Sequence, residues 1–154
     1  MSPPAAPAPV DTTDLQHTLA RLVGAEQVRT DAAAIGLFST DIGGSGSGSV
    51  CFVVAPGSVD ELAAVVAAAT RAGCAVAPRG AGLSYTAGYV PAHPRTVALD
   101  MTRMSRVLAV NEQDMTVTVQ AGCSWAALLA ALALRGLRTP FWGPMSGITS
   151  TVGG

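Results

Sequence analysis

At 154 residues, 49% hydrophobic and 12% charged, the chain has material for one domain with a real core and too little for two large ones. Its formal net charge of −1 denies it the basic surface that counterion-driven binding requires, so no nucleic-acid partner is expected. Every basic side chain apart from the histidines is arginine, and the lack of lysine excludes a Walker-A phosphate loop and a lysine Schiff base.

The opening MSPPAAPAPV has no basic n-region and carries four prolines where a signal peptide needs an apolar helix. Residues 1–13 therefore read as a disordered Pro/Ala-rich leader. Cys51, Cys74 and Cys123 are odd in number, widely spaced and set among apolar neighbours, which fits neither a disulfide framework nor a zinc site. They read as small buried hydrophobes in a reducing, cytoplasmic setting, with no metal. The longest uncharged apolar stretch, residues 124–134, is well short of the roughly 20 residues that span a bilayer, so no membrane partner is expected.

Residues 14–49 form a helical leading segment and a Gly/Ser loop. Leu15, Leu19, Leu22 and Val23 fall at helical spacing, with Gly24 as the stop. A second short helical piece over 32–37 leads through Asp41 to GGSGSGS, which reads as a flexible connection; its spacing fits neither GxGxxG nor a P-loop. Residues 51–54 then form a buried strand, Pro56 and Gly57 a turn, and Ser58 with Glu61 a capping box opening a helix that Gly73 closes. A strand at 74–77 completes a βαβ unit, whose two strands should be parallel. Another strand at 97–99 and a hairpin of 107–110 with 116–120 around NEQD make the sheet mixed. Ser124 caps a last helix carrying Leu128, Leu129 and Leu132, stopped by Gly136. The predicted fold class is α+β, a βαβ unit followed by a mixed sheet with flanking helices.

The segment PRGAGLSYTAGY, residues 78–89, leaves the second parallel strand, where βαβ units commonly place ligands. Gly80, Gly82 and Gly88 let backbone approach a ligand closely, and successive N–H groups can converge into a nest for pyrophosphate without lysine. Arg79 would add charge and Ser84 a donor. A second glycine- and hydroxyl-rich segment, GPMSGITSTVGG, occupies residues 143–154. Either alone would pass as a turn or linker. The order VAPGSVDELAAVVAAATRAGCAVAPRGAGLSYTAG, VALDMTRMSRVLAVNEQDMTVTVQAG, GPMSGITSTVGG resembles the FAD-binding domain of the PCMH/vanillyl-alcohol-oxidase-type flavoproteins, FAD-linked oxidases, over roughly residues 50–154.

The resemblance implies that Arg79, Gly80, Ala81, Gly82, Leu83, Ser84 and Tyr85 wrap the FAD pyrophosphate. It likewise implies that Ser146, Gly147, Thr149, Ser150, Gly153 and Gly154 line the other side of the cofactor. Branches of the family carry histidine at the position of Leu83 and attach flavin through it, so leucine there implies non-covalent FAD. It further implies a flavin-dependent oxidoreductase, oxidase or dehydrogenase, taking a hydride from an alcohol, hydroxy acid, sugar or amine-type substrate and passing electrons to oxygen or another acceptor. The small-molecule substrate and catalytic base would belong to a C-terminal domain absent here, so residues 50–154 read as a domain truncated at its C-terminal end and inactive alone. The alternative is a truncated, non-catalytic nucleotide-binding fragment. A serine hydrolase using Ser84 fails, because GLSYT lacks the second glycine of GxSxG and no suitable acid and histidine follow. His17 and His93 read as solvated and receive no role. Trp125, Phe141 and Trp142 read as core anchors, with Trp142 the one nearest the second cofactor segment. Asp100 reads as a turn organiser.

Overall fold

The computed structural model describes residues 12–141 and 149–154. Helix α1 spans Thr12–Val23 and so begins inside the segment expected as a leader; Leu15, Leu19 and Val23 form its buried stripe. After β1 (Val28–Arg29), the Asp31 carboxylate accepts from the Ala34 N–H and starts α2 (Ala32–Phe38). Two two-residue strands follow, β2 (Thr40–Asp41) and β3 (Gly44–Ser45), paired antiparallel. The glycine run was expected to hold no regular element, and this small hairpin corrects that.

The central sheet contains β4 (Val50–Val54), β5 (Ala75–Arg79) and β6 (Thr96–Asp100). Its order is β1-β4-β6-β5, with β6 parallel to both neighbours and β1 antiparallel to β4. The strands of the βαβ unit are thus parallel as expected, but β6 lies between them. Helix α3 (Val59–Arg71) connects β4 to β5. Its N-cap departs slightly from the reciprocal form: Ser58 Oγ accepts from Glu61 N–H at 3.1 Å, while the Glu61 carboxylate accepts from Gly57 N–H at 2.8 Å.

Alternation along the strands fixes the layers. Phe52, Val54, Val97 and Leu99 face α1 and α3, where they pack with Leu19, Val65 and Ala69. Val53 and Ala98 face the other way, onto Ala34 and Phe38 of α2. Each fully buried Val or Leu contributes about 1.5–3 kcal/mol of transfer free energy, so this two-sided core holds the strand ends that present the loops. The sheet is mixed, as expected, but for a different reason: β1 supplies the antiparallel strand. The predicted hairpin, β7 (Val107–Asn111) and β8 (Thr116–Val119), forms a separate two-stranded sheet. Helix α4 (Trp125–Ala133) covers it through Leu128 and Leu132, capped by Ser124 Oγ accepting from Ala127 N–H.

Candidate functional site

The first glycine loop leaves β5 at the carboxyl edge of the sheet, and residues 149–154 come to lie against it. Ala81 N–H donates to Gly154 O at 3.0 Å and to Thr151 Oγ1 at 3.1 Å, and Thr151 Oγ1 itself donates to Gly154 O at 2.7 Å. A Cβ on Gly80 would collide with the Gly154 carbonyl oxygen and Thr151 Oγ1, so a glycine here is what permits the approach. The second segment is anchored in turn on the α4 layer. Val152 N–H donates to Cys123 O, Gly153 N–H to Ala121 O, and Trp125 N–H to Ser150 O.

Between the two segments lies a cavity of ≈ 340 Å³ lined by Leu83, Ser84, Tyr85, Tyr89, Trp125, Ser150, Thr151 and Gly154. That volume falls at the small end of ligand sites. Among the described residues, the backbone N–H groups of Gly82, Leu83, Ser84 and Tyr85 donate no hydrogen bond. Ser150 Oγ is buried without a partner. A run of unspent N–H donors beside a cavity fits an anionic ligand held by backbone dipoles, as a pyrophosphate would be. The loop bends through local bonds: Ser84 Oγ accepts from the N–H groups of Thr86 and Gly88, and Ala87 sits at φ 56°. That left-handed conformation costs an L-residue about 1–2 kcal/mol.

The sequence-derived residues do not share one placement. Leu83, Ser84, Tyr85, Ser150 and Gly154 line the cavity, while Gly80, Ala81 and Gly82 shape its wall. Gly153 binds Ala121 behind the second segment, and Thr149 is exposed. Ser146, Gly147 and Trp142 lie outside the described residues. Arg79 is only 7% exposed and does not line the cavity. Its Nη1 donates to Leu37 O and Thr40 O, and burial lowers its pKa, opposed by the nearby Asp41 carboxylate.

Two lining residues escaped the sequence reading. Tyr89 sits at the far end of the first loop, and Thr151 is a second hydroxyl within a segment already full of them. Trp125, expected as a core anchor, packs on the α4 core and also lines the cavity. Phe141, expected as a core anchor, is 74% exposed. His93 is exposed on the 91–95 turn, with Nδ1 bonded to the Arg95 backbone, and His17 is exposed on α1. Asp100 does organise its turn, accepting from Thr102 N–H and Oγ1–H. Cys74 and Cys123 are buried, which raises both thiol pKa values, while Cys51 is half-buried.

Residues 50–154, more than half of the chain, match the FAD binding domain family. The chain belongs to that family, the PCMH-type FAD-binding domains of FAD-linked oxidases. Two curated relatives agree. Glycolate oxidase subunit GlcD of Bacillus subtilis is 27% identical over 143 residues, 93% of this chain and 30% of that protein. D-2-hydroxyglutarate dehydrogenase of Xanthomonas citri pv. viticola is 32% identical over 123 residues, 80% of this chain and 26% of that protein. The FAD-binding domain described here therefore spans less than a third of either relative's length.

Among solved structures, an alkyldihydroxyacetonephosphate synthase superposes with a TM-score of 0.81 at 23% identity, over 97% of this chain and 29% of the other. A p-cresol methylhydroxylase gives 0.76 at 13% identity, over 90% and 28%. Both likenesses show the fold. No helix among the described residues is long and apolar enough to cross a membrane.

Proposed function

We propose that this chain supplies the FAD-binding part of a flavin-dependent oxidoreductase, with the cofactor pyrophosphate held by the backbone of the first glycine loop. The observation that carries the reading is the union of the two glycine segments through Ala81, Thr151 and Gly154, which leaves the N–H groups of residues 82–85 facing their own requirement for an acceptor. When bound, FAD supplies the two-electron redox chemistry. The chain's own contribution is to hold and orient it: N–H dipoles meet negative charge, and Tyr89 and Trp125 offer aromatic surface in the same cavity.

The substrate class is a 2-hydroxy acid. Support comes from the two curated relatives, whose names carry glycolate and D-2-hydroxyglutarate, both acids with a hydroxyl beside the carboxylate. The rest of the substrate site is assigned to residues outside this chain, because these 154 residues match under a third of those relatives.

The cofactor is held non-covalently. Leu83 offers no nucleophile in the cavity wall, and the Cys123 thiol is fully buried and kept protonated by that burial. Mass analysis of the cofactor extracted from the native-length protein tests the assignment. FAD is the expected mass; FMN alone, or a nicotinamide, would refute it.

A further inference from the structure

Residues 37–49 hold the first glycine loop from two directions. From within the fold, Arg79 Nη1 donates to the carbonyls of Leu37 at 2.8 Å and Thr40 at 2.6 Å, the groups that α2 and the start of β2 leave open. The guanidinium carbon lies 4.9 Å from the Phe38 ring centroid and 5.8 Å from that of Tyr89. Gly82, at φ 72°, makes room for this arrangement, since a Cβ there would strike the guanidinium. The Asp41 carboxylate lies close enough to favour the charge, and its Oδ2 is buried with no hydrogen-bond partner.

The glycine and serine run grips the same loop further along. Gly48 N–H donates to Pro91 O at 2.9 Å and Ser49 N–H to His93 O at 3.2 Å. A Cβ on Gly46 would meet Val90 and Pro91, and one on Gly48 would meet the carbonyls of Pro91 and His93. A segment that reads as a flexible linker is therefore packed backbone to backbone against the far end of the loop.

We propose that Arg79 is a positioning residue rather than a phosphate ligand, and that together with the glycine run at 43–48 it clamps residues 79–93 in the shape that receives FAD. The inference rests on the reading of that loop as the FAD-contacting one. One nitrogen, Nη1, donates to both carbonyls while the planar guanidinium lies against two rings; an ammonium could donate to the carbonyls but could not stack its plane on the rings as well. The two grips act at opposite ends of the loop, so the backbone between them, with its unspent N–H groups, inherits one conformation from a neighbouring element. Such preorganisation strengthens binding by reducing the ordering cost at the moment of association.

A phosphate ligand and a positioning residue differ in their response to salt. An arginine facing phosphate in the cavity contributes a term that salt screens, whereas a buried arginine bonded to carbonyls does not. The test measures FAD affinity by flavin fluorescence at low and high ionic strength, in the native-length protein and in its R79Q, R79K and G48A variants, with folding checked by circular dichroism. R79Q is expected to weaken FAD on the order of tenfold or more with the salt dependence unchanged. R79K should recover only part of the loss. G48A, remote from the cavity lining, should weaken FAD in the same direction. If R79Q fails to fold, R79K and G48A carry the comparison. A reduced salt dependence in R79Q, which removes the charge that R79K keeps, would make Arg79 a phosphate ligand and overturn the clamp, and so would wild-type affinity in both R79K and G48A. Absence of FAD binding by the unaltered native-length protein would remove the functional reading itself, and the clamp with it.

Discussion

Gly82 and Gly80 are glycine for reasons that differ by a few ångströms of surroundings. At Gly82 a side chain would meet the Arg79 guanidinium in a backbone conformation that L-residues rarely adopt; at Gly80 it would push the second segment away from the first. Gly82→Val is expected to lose its flavin and to cost about 1–3 kcal/mol of stability, while the core between α1, α3 and the sheet stays folded. Flavin content per mole of protein, read beside the thermal unfolding curve, checks this; unchanged flavin in the variant would remove the loop from the site. A second expectation belongs to Leu83 and Cys123. Acid or heat denaturation of the native-length protein should release the flavin into solution, and recovery of a flavin-bearing peptide from residues 78–89 or containing Cys123 would contradict it. Burial raises the Cys74 and Cys123 thiol pKa values, so an unfolded chain gives up these protons first. Stability should accordingly decline as pH rises past the unfolded thiol value of about 8.5, seen as a falling midpoint in alkaline denaturation and lessened in Cys74→Ala/Cys123→Ala.

Among the elements, α4 matters to the site in a way its sequence conceals. Its cap, Ser124, also forms an isolated antiparallel bridge with Thr151, and the first residue of the helix proper, Trp125, both lines the cavity and donates its N–H to the Ser150 carbonyl. Ser124→Ala removes the cap oxygen at the helix start, a loss of about 1 kcal/mol; it leaves the backbone bridge to Thr151 in place and reaches the site by fraying the first turn, which carries Trp125. Ser58→Ala removes an equivalent cap on α3, far from the cavity lining. The two variants should therefore lose similar stability by urea denaturation while only Ser124→Ala weakens FAD; equal FAD affinities would show that the first turn of α4 is not coupled to the site. The caps, the helix periods and the strand alternation were all legible in sequence because each depends on neighbours within a few residues. The insertion of β6 between β4 and β5 was not legible, since the order of strands in a sheet depends on contacts between segments separated by some tens of residues, which local pattern does not encode.

For the whole molecule, ligand linkage supplies the broadest test. A ligand bound only by the folded state at 100 times its Kd adds about 2.7 kcal/mol, which raises Tm. Excess FAD should produce such a shift in the native-length protein, whereas the 154-residue chain alone, carrying under a third of its relatives' length, should show a smaller one. Equal shifts would mean that these residues hold the cofactor without help. The sequence by itself determined the α+β class, most of the helices and strands, and the two glycine segments, because propensity, capping and the order of motifs are properties of the chain read along its length. Only the tertiary structure decided that the two segments meet through Ala81 and Thr151, that Arg79 turns to the carbonyls of Leu37 and Thr40, and that the glycine run at 43–48 is packed rather than loose. Those outcomes depend on which backbone groups fold within hydrogen-bond reach across distances of about 40 and 70 residues in sequence, and a donor's partner at that range is fixed by the packing of the whole chain.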